Sequence, residues 1–244
     1  MTLSIIIPTL NEEQALPATL QSVADLVPQP LEVILVDGGS SDRTIELARN
    51  AGLKIVHGQP TGRASQMNAG AAIASGDHLC FLHADTSLPK DFVSLVQQTL
   101  ENNRIALAGF VSIMRGPEKL RWFTTAHNFV KTWYAPLLFR PISFFKGCRL
   151  LFGDQVLTCR SSDFNAIKGF DPHQTVMEEA DFCLRMSRSG RGVVRQINRK
   201  VWSSDRRVAE WGALLANCTY LYIGAMWGLG AKPDRLAEFY KDVR

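Results

Sequence analysis

Leu3-Ser4-Ile5-Ile6-Ile7-Pro8-Thr9-Leu10-Asn11-Glu12-Glu13 decides the fold class. Its apolar run has the length of a strand, and the polar cluster behind Pro8 reads as the loop that leaves it. Shorter apolar runs return at residues 31–36, 53–56 and 78–82. Between them lie helix-like stretches. Pro17 sits where a first helical turn tolerates it, and Ala18, Leu20, Val23, Ala24 and Val27 keep helical spacing. Ser41 or Asp42 can cap the next helix, which Gly52 stops, and 63–74 reads as a third. Strands alternating with helices predict βαβ units and a mostly parallel, Rossmann-like sheet flanked by helices. Because such crossovers are right-handed, the loops at 9–13, 37–42 and 83–86 gather along one sheet edge, where ligands bind.

Further on, the patterning predicts a helix over 89–102, a strand over 155–160, a helix over 178–189, a strand over 193–197 and a long terminal helix over 208–227. Residues 105–152 read as irregular. The expected organisation is one α/β domain over 1–205, with a nucleotide-binding half at about 1–90 and an acceptor half at about 105–205, then a helical extension over 206–244.

Hydrophobic residues make up 46% of the 244 and charged residues 20%, which excludes a disordered or fibrous chain. A formal charge of +4, with Arg185, Arg188, Arg191, Arg195, Arg199, Lys200, Arg206 and Arg207 close together, suits an anionic partner or a solvated basic face. Zinc spacings, basic heptads and an aromatic RNA-binding motif are all missing, so nucleic acid is not the expected partner. Five scattered cysteines without a C-x-x-C pair point to reduced, mostly buried thiols and a cytoplasmic protein, and no secretory leader is expected. Residues 211–231 carry no Asp, Glu, Lys or Arg, yet Asn217, Thr219 and Gly228-Leu229-Gly230 favour a buried or interfacial helix over a spanning one. The aromatic and basic stretch 122–146 leaves peripheral membrane contact open, as it does a homo-oligomer.

Three clusters can carry chemistry. Asp85, two residues after His83, can hold a divalent ion that bridges two phosphates, or can cap the following turn. Asp37, ahead of Gly38 and Gly39, can accept from a base or ribose, or serve the turn alone. The absence of G-x-G-x-x-G speaks against NAD or FAD. Glu178, Glu179 and Asp181 can complement a helix dipole or, packed together, raise one carboxyl's proton affinity and supply a general base.

Taken in order, Ser4 to Glu13, Val36-Asp37-Gly38-Gly39-Ser40-Ser41-Asp42-Arg43-Thr44, Gly62-Arg63 through Asn68-Ala69-Gly70, Gly76-Asp77, Phe81-Leu82-His83-Ala84-Asp85 and Gly169-Phe170-Asp171 before Glu178-Glu179 resemble the family-two inverting glycosyltransferases. The resemblance covers roughly residues 3 to 190 and implies a GT-A fold, a UDP- or GDP-sugar donor, and Mg2+ or Mn2+. It implies that Pro8, Asn11 and Glu12 line the nucleoside pocket, that Asp37 meets base or ribose, and that Arg63 and Asp77 hold the nucleotide. It implies that Asp85 is the metal ligand and that Glu179, beside Glu178, is the catalytic base. Two departures stand out: His83 replaces an acidic ligand, although imidazole still suits transition metals, and Glu179 replaces an aspartate. Phe152-Gly153-Asp154-Gln155 and Arg206-Arg207 are similar to a bacterial branch known as radical-SAM/selenodomain-associated transferases. That branch gives no acceptor; Asp154 and Gln155 are expected to meet one, which can be lipid-linked, and Arg206 or Arg207 the diphosphate. A nucleotidyltransferase would want a glycine- and arginine-rich loop where Asn11-Glu12-Glu13 stands, and a non-catalytic nucleotide-binding, membrane-peripheral protein is the other alternative.

Overall fold

The computed structural model describes residues 1–57, 62–116 and 120–239. β1 (Leu3–Thr9) is buried along all seven residues because β2 (Glu32–Asp37) and β4 (His78–Phe81) flank it in parallel and helices cover both faces. That explains a run without apolar-polar alternation. α1 (Leu16–Ala24) follows β1, α2 (Thr44–Asn50) joins β2 to β3 (Lys54–Val56), and α3 (Arg63–Ala72) leads to β4. Then come β5 (Thr86–Ser87), α4 (Phe92–Glu101), β6 (Ile105–Arg115), α5 (Trp122–Phe139), α6 (Pro141–Phe145), a single 3-10 turn (Gly153–Gln155), β7 (Leu157–Arg160), α7 (Ser161–Ala166), α8 (Glu178–Arg188), β8 (Val193–Ser204), α9 (Arg206–Trp211), α10 (Ala213–Gly228) and α11 (Pro233–Ala237).

The eight strands form one sheet in the order β3-β2-β1-β4-β7-β6-β8-β5. β1 to β4 run parallel, as do β6 and β8, while β7 opposes both of its neighbours. This is the mostly parallel sheet expected from the N-terminal pattern. The register pairs Thr9 with Asp37, so the loops leaving β1 and β2 start side by side. Large apolar clusters sit on either side of the sheet. On one side Phe81, Phe164, Phe170 and Phe182 stack together, with Phe170 and Phe182 ring centroids 4.3 Å apart.

Three expectations need correction. Residues 105–152 are not irregular: β6 is 11 residues long and α5 is 18. β6 lacks alternation because it is buried on both faces, and Gly109 within it admits Leu151, whose methyl would stand 2.9 Å from any Cβ. In α5 the buried residues are Thr124, Thr125, Asn128, Thr132 and Pro136, while Phe129, Val130 and Trp133 are exposed, so its periodicity is inverted. β8 does not end at 197 but runs on to Ser204. Its register steps from Phe110 opposite Ile197 to Val111 opposite Lys200, so Asn198 and Arg199 are absorbed in an irregularity that interrupts the pattern. The terminal helix is two helices, broken at Gly212, whose φ of 80° suits glycine.

Removing the Phe170 ring leaves a cavity among three other rings. Phe170→Ala is expected to lower the unfolding free energy by about 3–5 kcal/mol in a urea titration. A loss below about 1 kcal/mol would show that the cluster is not a packed core.

Candidate active site

A cleft of about 450 Å³ opens at the C-terminal ends of β1, β2 and β4. One end of it is built by two interlocked loops. Asn11 takes a left-handed conformation at φ 54°, its Oδ1 accepts from the Ser41 backbone N–H at 2.9 Å, and its own N–H donates to Ser40 Oγ at 2.8 Å. Glu12 N–H donates to Thr44 Oγ1. Pro8 and Glu12 line the cleft, whereas Asn11 fastens the loops to each other.

Asp37 departs from expectation. It is only 1% exposed, and its carboxylate accepts from the Gly39 and Ser40 backbone N–H groups at 2.8 and 2.9 Å and from Ser40 Oγ. The carboxylate is turned into its own loop, the turn role open to it in the sequence. What the loop presents to the cleft is Gly38. Gln66 braces that loop by donating to Thr9 O at 2.7 Å and Val36 O at 3.1 Å, and a Cβ on Gly38 would stand 2.8 Å from its amide nitrogen. Asp77 also departs from expectation. It precedes β4, at the sheet edge opposite the cleft, and accepts from the backbone N–H and Oγ1 of Thr2, so it ties down the start of β1 instead of holding a nucleotide.

The acidic end of the cleft forms where α8 begins. Met177, at φ 62°, turns the chain so that Glu178 and Glu179 occupy the first turn, where the helix dipole favours anions. Both side chains are almost wholly buried. Arg63, opening α3, donates from Nη1 to Glu178 Oε1 at 3.0 Å and lies 3.9 Å from Glu179 Oε1. On the other side His83 Nε2 is 3.3 Å from Glu179 Oε1, an ion-pair contact. Neither atom has another hydrogen-bond partner among the described residues.

Burial and the Glu179 charge push the Glu178 carboxyl up to about 7, against the pull of Arg63. For Glu179, burial acts upward too, but His83 and Arg63 together outweigh it and hold the carboxyl below the usual range. Arg63 is nearer to Glu178, yet the imidazole beside Glu179 decides the outcome. Below about pH 7 the pair therefore holds one proton, with the negative charge on Glu179.

β4 stops at Phe81, and a turn from His83 to Thr86 follows, closed by Thr86 N–H donating to His83 O at 3.1 Å. His83 and Asp85 therefore diverge, where a continued strand would have aligned them. Asp85 reaches across the cleft to Arg206, 3.5 Å away, and Arg206 Nη2 donates to Glu12 Oε2 at 2.7 Å. Arg207 lines the same wall. Among the described residues no three His, Cys, Asp or Glu side chains cluster as a metal cage. Asp85 on the open cleft nonetheless fits the way Mg2+ or Mn2+ is often held, by one or two carboxylates plus phosphate oxygens and water.

Asp154 lines the cleft and accepts from Asn128 Nδ2 at 2.8 Å. Gln155, by contrast, is 1% exposed, points away from the cleft, donates to Thr132 Oγ1 at 3.0 Å and accepts from Phe152 N–H. It anchors the 3-10 turn. Three further cleft residues were not among the expected site residues. Gly153 packs so closely that a Cβ there would overlap the His83 ring and the Glu179 carboxylate. Lys131 lies 3.8 Å over the Phe152 ring, and Asn128 supports Asp154. Lys131 and Asn128 lie in a helix of inverted polarity, and Gly153 looks like any loop glycine. Only the departure of α5 from an ordinary amphipathic pattern could have flagged the first two.

The model of the family described as glycosyl transferase family 2 matches residues 4–163, more than half of the chain. A PGL/p-HBAD biosynthesis glycosyltransferase of Mycobacterium bovis is 44% identical over 91 residues, 35% of this chain and 36% of that protein. An undecaprenyl-phosphate 4-deoxy-4-formamido-L-arabinose transferase of Aeromonas hydrophila is 34% identical over 131 residues, 49% of this chain and 39% of that protein. The chain thus spans well under half the length of these curated relatives. Among solved structures, glucosyl-3-phosphoglycerate synthase of Mycobacterium tuberculosis, in complex with Mn2+, UDP and glucosyl-3-phosphoglycerate, superposes with a TM-score of 0.64 at 23% identity, over 94% of this chain and 80% of that one. It shares the GT-A fold.

Glu178 binds a proton more tightly in the folded chain than in the unfolded one, whose carboxyl keeps the ordinary value of 4.5. Stability from that group is therefore full below about pH 4.5 and is lost as pH rises towards about 7. Glu178→Gln is expected to flatten the fall of the thermal midpoint across that window. An unchanged slope in the variant would place the proton elsewhere.

Proposed function

The chain belongs to glycosyl transferase family 2, and from that premise we propose that it transfers a sugar with inversion from a nucleoside-diphosphate sugar to an acceptor hydroxyl. One observation carries the reading. His83 Nε2 and Glu179 Oε1 face each other at 3.3 Å as an ion pair buried in the wall of the cleft, with no further hydrogen-bond partner among the described residues. An incoming hydroxyl gives each of them a further partner by donating to the carboxylate and accepting from the ring.

The base of a UDP- or GDP-sugar lies against Pro8 and Gly38, and its diphosphate against Arg206 and Arg207, with Arg63 between donor and acid pair. Asp85 is the residue that would hold Mg2+ or Mn2+, which when bound neutralises charge growing on the diphosphate. Glu179 takes the acceptor proton as the acceptor oxygen bonds to the anomeric carbon. The bond from that carbon to the diphosphate oxygen breaks on the opposite face, and the diphosphate leaves with the electron pair. Arg63 and His83 keep Glu179 ionised, and Glu178 retains the shared proton. Asp154 and Lys131 meet the acceptor. A relative named for undecaprenyl phosphate supports an acceptor carried on a lipid, and the buried, unpaired thiols Cys80, Cys148, Cys159 and Cys183 support a cytoplasmic setting at the membrane's inner face.

Loss of a general base typically lowers turnover by about 10²–10⁴-fold. Glu179→Gln is expected to show that loss with donor affinity kept, by radiolabelled sugar transfer and UDP titration. Full transfer in this variant, with Glu178→Gln inactive, would move the base to Glu178. Asp85→Ala is expected to abolish the stimulation of donor hydrolysis by Mn2+. Gly153→Ala, which wedges the His83 and Glu179 side chains apart, is expected to lower transfer by at least about tenfold with UDP affinity unchanged, and wild-type transfer would refute the packing argument.

A further inference from the structure

α5 and α10 are inside out. The buried side of α5 carries Thr124, Thr125, Asn128 and Thr132, and on α10 the buried Asn217 donates to Thr124 Oγ1 at 3.0 Å and accepts at 2.8 Å from the His127 ring. The exposed side is apolar. On α5 Trp122, Phe123, Phe129, Val130, Trp133, Leu137 and Leu138 recur at helical spacing over five turns, each more than 40% exposed. Leu214, Leu215, Leu221 and Tyr222 do the same on α10, and Ile142 and Phe145 of α6 are 73% and 80% exposed. The two long helices lie alongside in the same direction, since Asn217 meets Thr124 near their starts and Arg140 Nη1 donates to Gly228 O at their ends. Among the described residues no helix is long and apolar enough to cross a membrane.

We propose that this face, made of α5, α6 and α10, docks in the interfacial layer of an anionic bilayer, lying in its plane. Three features favour lipid over a second copy of the chain. Polar residues turned inward with apolar ones outward is the distribution expected of an element whose outer solvent is hydrocarbon. The chemistry at the edge is that of a lipid headgroup region. No acidic residue lies in α5, α6 or α10, and where α5 and α6 end, Arg140, Lys146 and Arg188 line one groove together with Phe139 and Ile142. Finally, the cleft extends from Glu179 to between the two helices, reaching Tyr134, Phe139, Leu221 and Gly224. A partner protein seated there would close that mouth, whereas a bilayer would feed it. This rests on the proposed transfer only in its last feature, where a lipid-borne hydroxyl would pass from the bilayer to Glu179 without leaving an apolar path.

The test uses the full chain and vesicles of phosphatidylcholine with or without phosphatidylglycerol. Co-sedimentation with the anionic vesicles is expected, with a blue shift of tryptophan emission as Trp122 and Trp133 enter the interface. Phe129→Glu with Leu138→Glu is expected to lower the partition coefficient by at least about tenfold, with UDP affinity unchanged. Lys146→Ala with Arg188→Ala is expected to lower it by about fivefold per cation on anionic vesicles only. No partition of the wild type, or a concentration-dependent dimer dispersed by Phe129→Glu with Leu138→Glu, overturns the docking face. Vesicle binding without turnover of any nucleotide sugar would instead overturn the transfer reading and leave the docking face standing. Loss of docking alone, with transfer to a detergent-dispersed acceptor intact, would do the reverse.

Discussion

Two carboxylates buried side by side, Glu178 and Glu179, are the constraint around which the cleft is organised. Isolated buried charges are costly, so each must be paired or protonated. Arg63 and His83 supply the pairing, which commits three separated parts of the chain, the start of α3, the loop after β4 and the start of α8, to one point. Gly153 has to be a glycine for that point to exist, because any side chain would occupy the place of the imidazole and the carboxylate. The left-handed Met177 that turns α8 into place is a further local cost accepted there.

The rest of the cleft follows the same logic of fixed loops around a reactive centre. Asn11, Asp37 and Asp42 spend their side chains on backbone N–H groups, which braces the loops after β1 and β2. Arg206 closes the far wall by reaching from α9 to Glu12 and towards Asp85. The C-terminal helices are thus part of the site, and their packing on α5 through Asn217 joins the cleft to the apolar outer face.

The N-terminal strands were legible because a parallel sheet covered on both sides writes itself as plain apolar runs, and the loops between them carry strong turn residues. The motifs at Pro8, Asp85 and Glu179 were legible as types, and the structure brings all three to the cleft. Asp37, Asp77 and Gln155 were not legible, because a carboxylate or amide that binds a ligand looks the same in sequence as one that binds backbone. In the fold their side chains bond to Gly39, Thr2 and Thr132. Residues 105–152 escaped for another reason. β6 lacks alternation and α5 has its polarity reversed, so rules that assume water outside fail there, and the failure falls on the surface proposed to meet lipid.

The division of charge within the acid pair is the point on which the account turns. Carbon-13 NMR titration of the glutamate carboxyl groups, assigned with Glu178→Gln, measures it directly. One of the pair should titrate near 7 and disappear from the spectrum of the variant, while Glu179 stays ionised below the ordinary 4.5. Two carboxyls titrating together near 4.5, or the high value remaining in Glu178→Gln, would contradict the assignment of Glu179 as the ready base.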